Sequence, residues 1–233
     1  AFESTAATRI FDRHGDLVSE LFIERRLPVG IDQIPDFLKK AIIAVEDEHF
    51  YEHHGVNANA ILRATVRNAL SGRRAQGAST ITQQLARNLF LGFEKTYARK
   101  LRELYIALQI ERRYTKNQIL ELYLNQIYLG HGAFGVEAAS RSYFGKGVED
   151  LSLDECALLA GLPQSPTNLD PMNHPERALK RRNLVLSRLK SVGVIDQATY
   201  EQLSRVPLTL APEAARRREA PYFVDYLLPQ LEQ

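Results

Sequence analysis

The stretch Ala41-Ile42-Ile43-Ala44-Val45-Glu46-Asp47-Glu48-His49-Phe50-Tyr51-Glu52-His53 decides the fold. Leu38, Ala41, Ile42 and Val45 recur at three- and four-residue steps, the spacing of a helix that buries one face. Pro35 precedes the pattern, and an acidic stretch rich in aromatics and histidine follows it. The reading is a helix that carries Glu46 at its C-terminal end. The same helical spacing dominates the rest of the chain, so the expected class is mainly α.

Working outward, the N-terminal side is extended. Arg9-Ile10-Phe11 and residues 17–23 flank Asp12-Arg13-His14-Gly15-Asp16, which reads as a hairpin turn. On the other side, residues 59–70 read as a helix and 71–77 as a polar, glycine-containing break. Thr80 and Gln83, Thr115 and Gln118, and Ser152 and Glu155 each have capping-box spacing ahead of an apolar run. Leu101, Leu104, Tyr105 and Leu108 form a further apolar stripe. Pro175 opens another helix and Gly193 closes it, while prolines and Arg216-Arg217-Arg218 mark a tail from Pro207 onward. The expected division is an N-terminal extended or β linker segment over 1–30, a helical catalytic domain over 31–205, and a C-terminal linker over 206–233.

Composition narrows the function classes. The chain has 233 residues, 45% hydrophobic and 25% charged, enough for a buried core. The formal net charge of +2 argues against a generic nucleic-acid binder, and none is expected as a partner. Trp is absent, which excludes a Trp platform for sugars, although ten Tyr and ten Phe remain. Cys156 stands alone, so neither an intrachain disulfide nor a cysteine-rich metal site is possible, and Cys156-Ala157-Leu158-Leu159-Ala160 reads as buried apolar helix. No stretch approaches the ~20 apolar residues that span a bilayer. With no signal peptide visible and Ala1 at its start, the chain reads as a soluble piece of something longer.

Several segments carry chemistry. Glu46 at a helix C-terminus meets the negative dipole end, and Asp47 and Glu48 add like charge; both effects raise a carboxylate toward the range of a general base. The competing reading is a solvated acidic helix end. His53 and His54 are adjacent and read as structural rather than metal-binding. Gly77, Ser79, Thr80, Gln83 and Gln84 bracket a helix start, a ready anion site, with Arg87 one turn beyond Gln83. A capped helix with no ligand is the alternative. Arg99, Lys100 and Glu103 share a helical face, as either an exposed ion-pair set or a cradle for pyrophosphate in which Glu103 orients the cations or holds a divalent metal. Glu121 and Asn125 can brace the site, and Lys146 after Gly145 can reach a phosphate.

Taken in order, these segments resemble the family-51 peptidoglycan glycosyltransferases. The resemblance runs from about Arg9 to about Arg188. It is carried by Glu46-Asp47 with Phe50 and His53, by Gly77 with Ser79-Thr80-Ile81-Thr82-Gln83-Gln84, by Arg99-Lys100 with Glu103, by Lys116 with Ile119-Leu120-Glu121 and Tyr123-Leu124-Asn125, and by Gly132, Gly135 and Tyr143-Phe144-Gly145-Lys146. Arg87 departs from the pattern, since many members carry Lys there; charge is kept but geometry changes.

The resemblance implies a lysozyme-like, two-lobed helical glycosyltransferase fold acting on lipid II and the growing lipid-linked glycan. It implies that Glu46 deprotonates the acceptor 4-hydroxyl, with inversion to a β-1,4 bond, and that Glu103 is a second catalytic acid. Asp47, Phe50, His53, Gly77, Ser79, Thr80, Gln83, Gln84, Arg87, Arg99, Lys100, Asn125 and Lys146 are the implied substrate-binding set. A Mg or Mn ion on Glu103 is the implied cofactor option, with no organic cofactor. The implied setting is the extracytoplasmic face of a bacterial membrane. Ile61, Leu62, Val66 and Leu70, with the segment 71–77, would either dip into the lipid headgroup region or pack in the core; a transpeptidase domain would be fused, and other cell-wall synthesis proteins would be partners. Two rivals remain: a lytic enzyme of the same fold, and an inactive glycan- or lipid-binding scaffold. The basic pair Arg99-Lys100 speaks against the first, because glycan cleavage has no departing pyrophosphate to neutralise.

Overall fold

A computed structural model describes residues 8–11, 17–21, 25–57, 79–90 and 96–212. The hairpin turn at 12–16, the helix and break expected over 59–77 with Gly77 and the lipid-facing positions, and the tail beyond 212 lie outside the described residues. Eight α-helices are described: α1 Asp36–Glu46, α2 Ile81–Phe90, α3 Tyr97–Arg113, α4 Lys116–Gln126, α5 Val136–Phe144, α6 Leu153–Gly161, α7 Pro175–Ser191 and α8 Gln197–Arg205. Strands are short. β1 Thr8–Phe11 pairs antiparallel with β2 Leu17–Leu21, the arrangement expected of a hairpin, and β3 Arg25–Arg26 pairs in parallel with β4 Ala133–Phe134.

The capping signals act as expected. Thr80 N–H donates to Gln83 Oε1 (3.2 Å) and Gln83 N–H to Thr80 Oγ1 (3.1 Å), which starts α2. Thr115 and Gln118 make the same reciprocal pair ahead of α4. Ser152 N–H donates to Glu155 Oε2 (2.8 Å) ahead of α6. Each exchange satisfies donors that a helix start leaves open.

The helices gather in two groups. In one, α2 lies against α3 and α4; in the other, α6 and α7 sandwich with α1 and α8. A single apolar core joins them, from Leu38, Ala41 and Ile42 of α1 through Ile81 and Leu85 of α2 to Val185, Leu186 and Leu189 of α7. Cys156 is fully buried within it, and burial pushes its thiol up to about 12. The C-terminal end of α1 emerges against the N-terminal end of α2, so Glu46 stands where the two groups meet.

Two boundaries differ from the expected division. Residues 25–31 are stitched to the helical body: β3 pairs with β4, Val29 exchanges two hydrogen bonds with the Asn125 amide (2.9 and 2.8 Å), and Ile31 N–H donates to Glu121 Oε2 (2.9 Å). At the other end, Ala211 is buried and its N–H donates to Tyr143 O (2.8 Å), so the start of the supposed linker folds back on the body.

Candidate active site

Glu46 ends α1 and is partly buried. Gln84, one turn into α2, donates Nε2–H to Glu46 Oε2 (2.8 Å) and accepts from the Tyr123 hydroxyl of α4 at its Oε1 (3.1 Å). Burial pushes the Tyr123 phenol well above its ordinary range, so it is a fixed donor and orients the Gln84 amide. The other Glu46 oxygen, Oε1, has no hydrogen-bond partner among the described residues.

The Glu46 carboxyl is raised above its usual range. Burial is the largest cause; the Gln84 hydrogen bond and the charges of Arg181 and Arg87 pull the other way, and Asp47 adds a smaller push upward. The direction agrees with the sequence reading, but its reason does not. Like charge is the minor contributor, and Glu48 is turned to Arg188 (2.5 Å).

Asp47, Phe50 and His53 are not laid open to a ligand. Both Asp47 oxygens meet His53 Nε2 (2.9 Å), and Oδ2 also accepts from Ile81 N–H (3.0 Å) at the start of α2. Phe50 is fully enclosed, with the Lys116 ammonium 4.5 Å from its ring centroid. Thr80 spends its hydroxyl on Gly55 O (2.7 Å) and is buried, as is Gln83. These side chains support the site from beneath. The Asn125 amide is committed to Val29.

The second acid lies on α3. Glu103 is fully buried, and its carboxylate is held by Arg99 Nη1 (2.7 Å) on one oxygen and by Lys100 Nζ on the other. Lys100 Nζ also donates to Ser79 Oγ (3.1 Å), while the buried Arg99 Nε has no acceptor. Glu103 therefore anchors a pair of cations rather than facing a reacting group. Ser79 and Ile81 are two residues apart, at most about 7 Å, so the start of α2 joins the Glu46 end of α1 to the Arg99–Lys100 pair. Arg87, further along α2, makes no ion pair among the described residues and acts electrostatically on Glu46.

Lys146 is not brought to either acid; it pairs with Glu155 of α6 (2.7 Å). No cluster of three metal-ligating side chains occurs among the described residues. Sequence reasoning missed Arg181 and Arg188 of α7. A guanidinium two helical turns from another is too common a pattern to single out.

Comparison with known proteins agrees with the fold. A family model described as transglycosylase matches residues 14–190. Penicillin-binding protein 1A of Aquifex aeolicus is 50% identical over 219 residues, covering 94% of this chain and 30% of that protein. Penicillin-binding protein 1A of Escherichia coli is 46% identical over 226 residues, covering 96% and 26%. Penicillin-binding protein 1F of Bacillus subtilis is 43% identical over 222 residues, covering 95% and 31%. The crystal structure of penicillin-binding protein 1A from Haemophilus influenzae superposes with a TM-score of 0.57 at 26% identity, covering 96% of this chain and 23% of that one. The chain thus spans about a third or less of the length of these relatives.

Proposed function

The chain belongs to the transglycosylase family, the family-51 peptidoglycan glycosyltransferases, and from that membership we propose that it polymerises lipid II with Glu46 as the general base. Glu46 Oε1 takes the proton from the acceptor sugar 4-hydroxyl. That oxygen bonds to the anomeric carbon of the lipid-linked glycan as the bond to the pyrophosphate oxygen breaks on the opposite face, inverting to a β-1,4 link. The electron pair leaves with undecaprenyl pyrophosphate, where Arg99, Lys100 and Arg87 meet the charge. No covalent sugar–enzyme intermediate is needed.

One observation carries this reading: the start of α2 ties a partly buried carboxylate, one oxygen of which has no partner among the described residues, to a cation pair braced by a buried acid. A lytic enzyme needs the acid but not the cations. Both oxygens of Glu103 are already taken by cations inside the protein, so its donor set does not fit a divalent metal, and no step runs through one.

The setting follows from the chemistry. An undecaprenyl substrate places the site at a membrane surface. Although no described helix is long and apolar enough to cross a membrane, α3 presents Tyr97, Leu101, Tyr105 and Leu108 outward, a stripe suited to lipid. We read the chain as the polymerase portion of a longer protein with a fused transpeptidase, since its relatives extend well beyond it. The test is purified lipid II with products resolved on a gel. A ladder of long glycan is expected; shortening of preformed glycan with no ladder would favour a lytic enzyme.

A further inference from the structure

One enclosed ion pair takes no part in the chemistry above. Lys116, the first residue of α4, donates Nζ–H to Oε1 of Glu111, in the last turn of α3 (2.8 Å). The acid side chain is almost fully enclosed and the lysine largely so. The same Glu111 oxygen accepts from the Thr82 hydroxyl (2.5 Å), and Thr82 is buried in the first turn of α2. The Lys116 ammonium also faces the Phe50 ring, 4.5 Å from its centroid, a cation–π contact. One ammonium therefore serves both segments that build the base site. It touches the turn after Glu46 through Phe50, and it reaches the start of α2 through Glu111 and Thr82.

The surrounding contacts fix those segments against each other. Phe50 N–H donates to Asp47 O (2.9 Å), which ties the ring to the residue beside Glu46. The Tyr51 hydroxyl donates to Asn117 Oδ1 (3.4 Å), next to Lys116 on α4. Gly55 has φ +82°, and a Cβ there would lie 3.0 Å from Glu111 Cγ and 3.2 Å from Ala107 O, so the turn rests directly on α3. Thr80 donates its hydroxyl to Gly55 O (2.7 Å) and links that turn to α2. Thr82 stands two residues before Gln84, whose amide donates to Glu46. A buried ion pair adds little net stability over apolar residues of the same volume. What this pair supplies is direction: an acceptor and a cation at fixed places beneath the junction of three helices and a turn.

We propose that Lys116 is a positioning residue for the base: its ammonium, shared between Glu111 and the Phe50 ring, sets the end of α1 against the start of α2 and thereby the hydrogen bond from Gln84 to Glu46. The assignment rests on Glu46 being the base. Without the ammonium, the Glu111 carboxylate loses its cation and Phe50 loses the charge that faces it. The turn after Glu46 and the first turn of α2 then shift independently. A misplacement of about 1 Å at a reacting group costs up to ~100-fold in rate, so a residue that never meets substrate still governs transfer.

The test measures single-turnover transfer from lipid II, lipid II affinity and melting temperature for the wild type, Lys116→Met, Lys116→Arg, Thr82→Val, Gln84→Leu, and Lys116→Met combined with Gln84→Leu. Each is assayed well below its own melting temperature. Lys116→Met is expected to slow transfer roughly 10- to 50-fold with affinity within about threefold of the wild type. Thr82→Val, which keeps the shape and removes the hydroxyl, slows transfer about fivefold. Lys116→Arg keeps the charge and the ring contact and stays within about threefold. The combined variant is slower than Gln84→Leu by no more than about threefold, because both changes act on one hydrogen bond. A lowered melting temperature with transfer unchanged in Lys116→Met, a loss seen mainly in affinity, or losses that multiply with Gln84→Leu overturns the proposal. If Lys116→Met does not fold, Thr82→Val alone and combined with Gln84→Leu decides it on the same terms. Glu46→Gln, assayed alongside, separates the two levels. Its continued transfer would remove the base assignment itself, whereas an inactive Glu46→Gln with unaffected transfer by Lys116→Met removes only the role of Lys116.

Discussion

At the residue scale, the decisive quantity is the free energy of one carboxylate. Burial raises Glu46 above its usual range, so the folded state holds that proton more tightly than the unfolded chain does. The contribution to stability therefore falls as pH rises through the window between the unfolded and folded values. Glu46→Gln removes this cost. We expect the variant to melt ~2 °C above the wild type at neutral pH, with the gain vanishing below the unfolded carboxylate range. Equal melting temperatures at both pH values would mean that Glu46 is not held against burial. Glu46 and the Arg99–Lys100–Glu103 set were legible in the sequence because spacing placed them at a helix end and on one helical face. Their solvent access was not legible. Spacing put Glu103 beside a ligand, but a carboxylate neutralised by two neighbours four residues or fewer away can be buried outright.

At the scale of elements, the capping boxes were readable because the chemistry is local: a hydroxyl and an amide three residues apart satisfy each other's backbone. The α3 stripe shows where local pattern stops. Leu101 and Tyr105 repeat at the spacing of a buried face, yet they are 68 and 65% exposed, while Glu103, Ala107 and Ile110 point inward. Period alone does not say which side of an amphipathic helix meets protein and which meets lipid. Replacing Leu101 and Tyr105 together by Asp is expected to reduce co-flotation with anionic lipid vesicles at least fivefold without lowering the melting temperature. Unchanged flotation would move the membrane surface elsewhere. Gly135 shows a tighter constraint at the start of α5. It has φ +85°, and a Cβ there would sit 2.7 Å from the backbone oxygen of Asn125, the residue whose side-chain amide holds Val29. Gly135→Ala is expected to cost roughly 3 kcal/mol and to lower the melting temperature by about 6–12 °C. A loss under 1 °C in a thermal melt would contradict this.

At the scale of the whole molecule, the two helix groups are held by contacts far apart in sequence, so their existence was legible only through resemblance. Arg182 is the clearest case. It is buried, and its Nη2 donates to Val206 O (2.7 Å) and Leu203 O (3.3 Å), fastening the end of α8 to α7. Burial lowers its guanidinium from the ordinary value, and these acceptors, with Asn183 Oδ1, Ser204 O and Asp154 at 3.9 Å, make the charge tolerable. Arg182→Met, similar in length but without donors, strands those carbonyls and is expected to cost roughly 2–3 kcal/mol, read as a lower urea midpoint with an unchanged slope. An unmoved midpoint would show that α8 is held by apolar contact alone. The same long-range logic joins Glu46 to the cation pair through the start of α2. The most direct check is to measure lipid II binding and single-turnover glycosyl transfer for Glu46→Gln and Glu103→Gln in parallel. Transfer by Glu46→Gln should fall at least a thousandfold with lipid II affinity within tenfold of the wild type, while Glu103→Gln should lose affinity as Arg99 and Lys100 come adrift. Transfer by Glu46→Gln within tenfold of the wild type would contradict the assignment of the base.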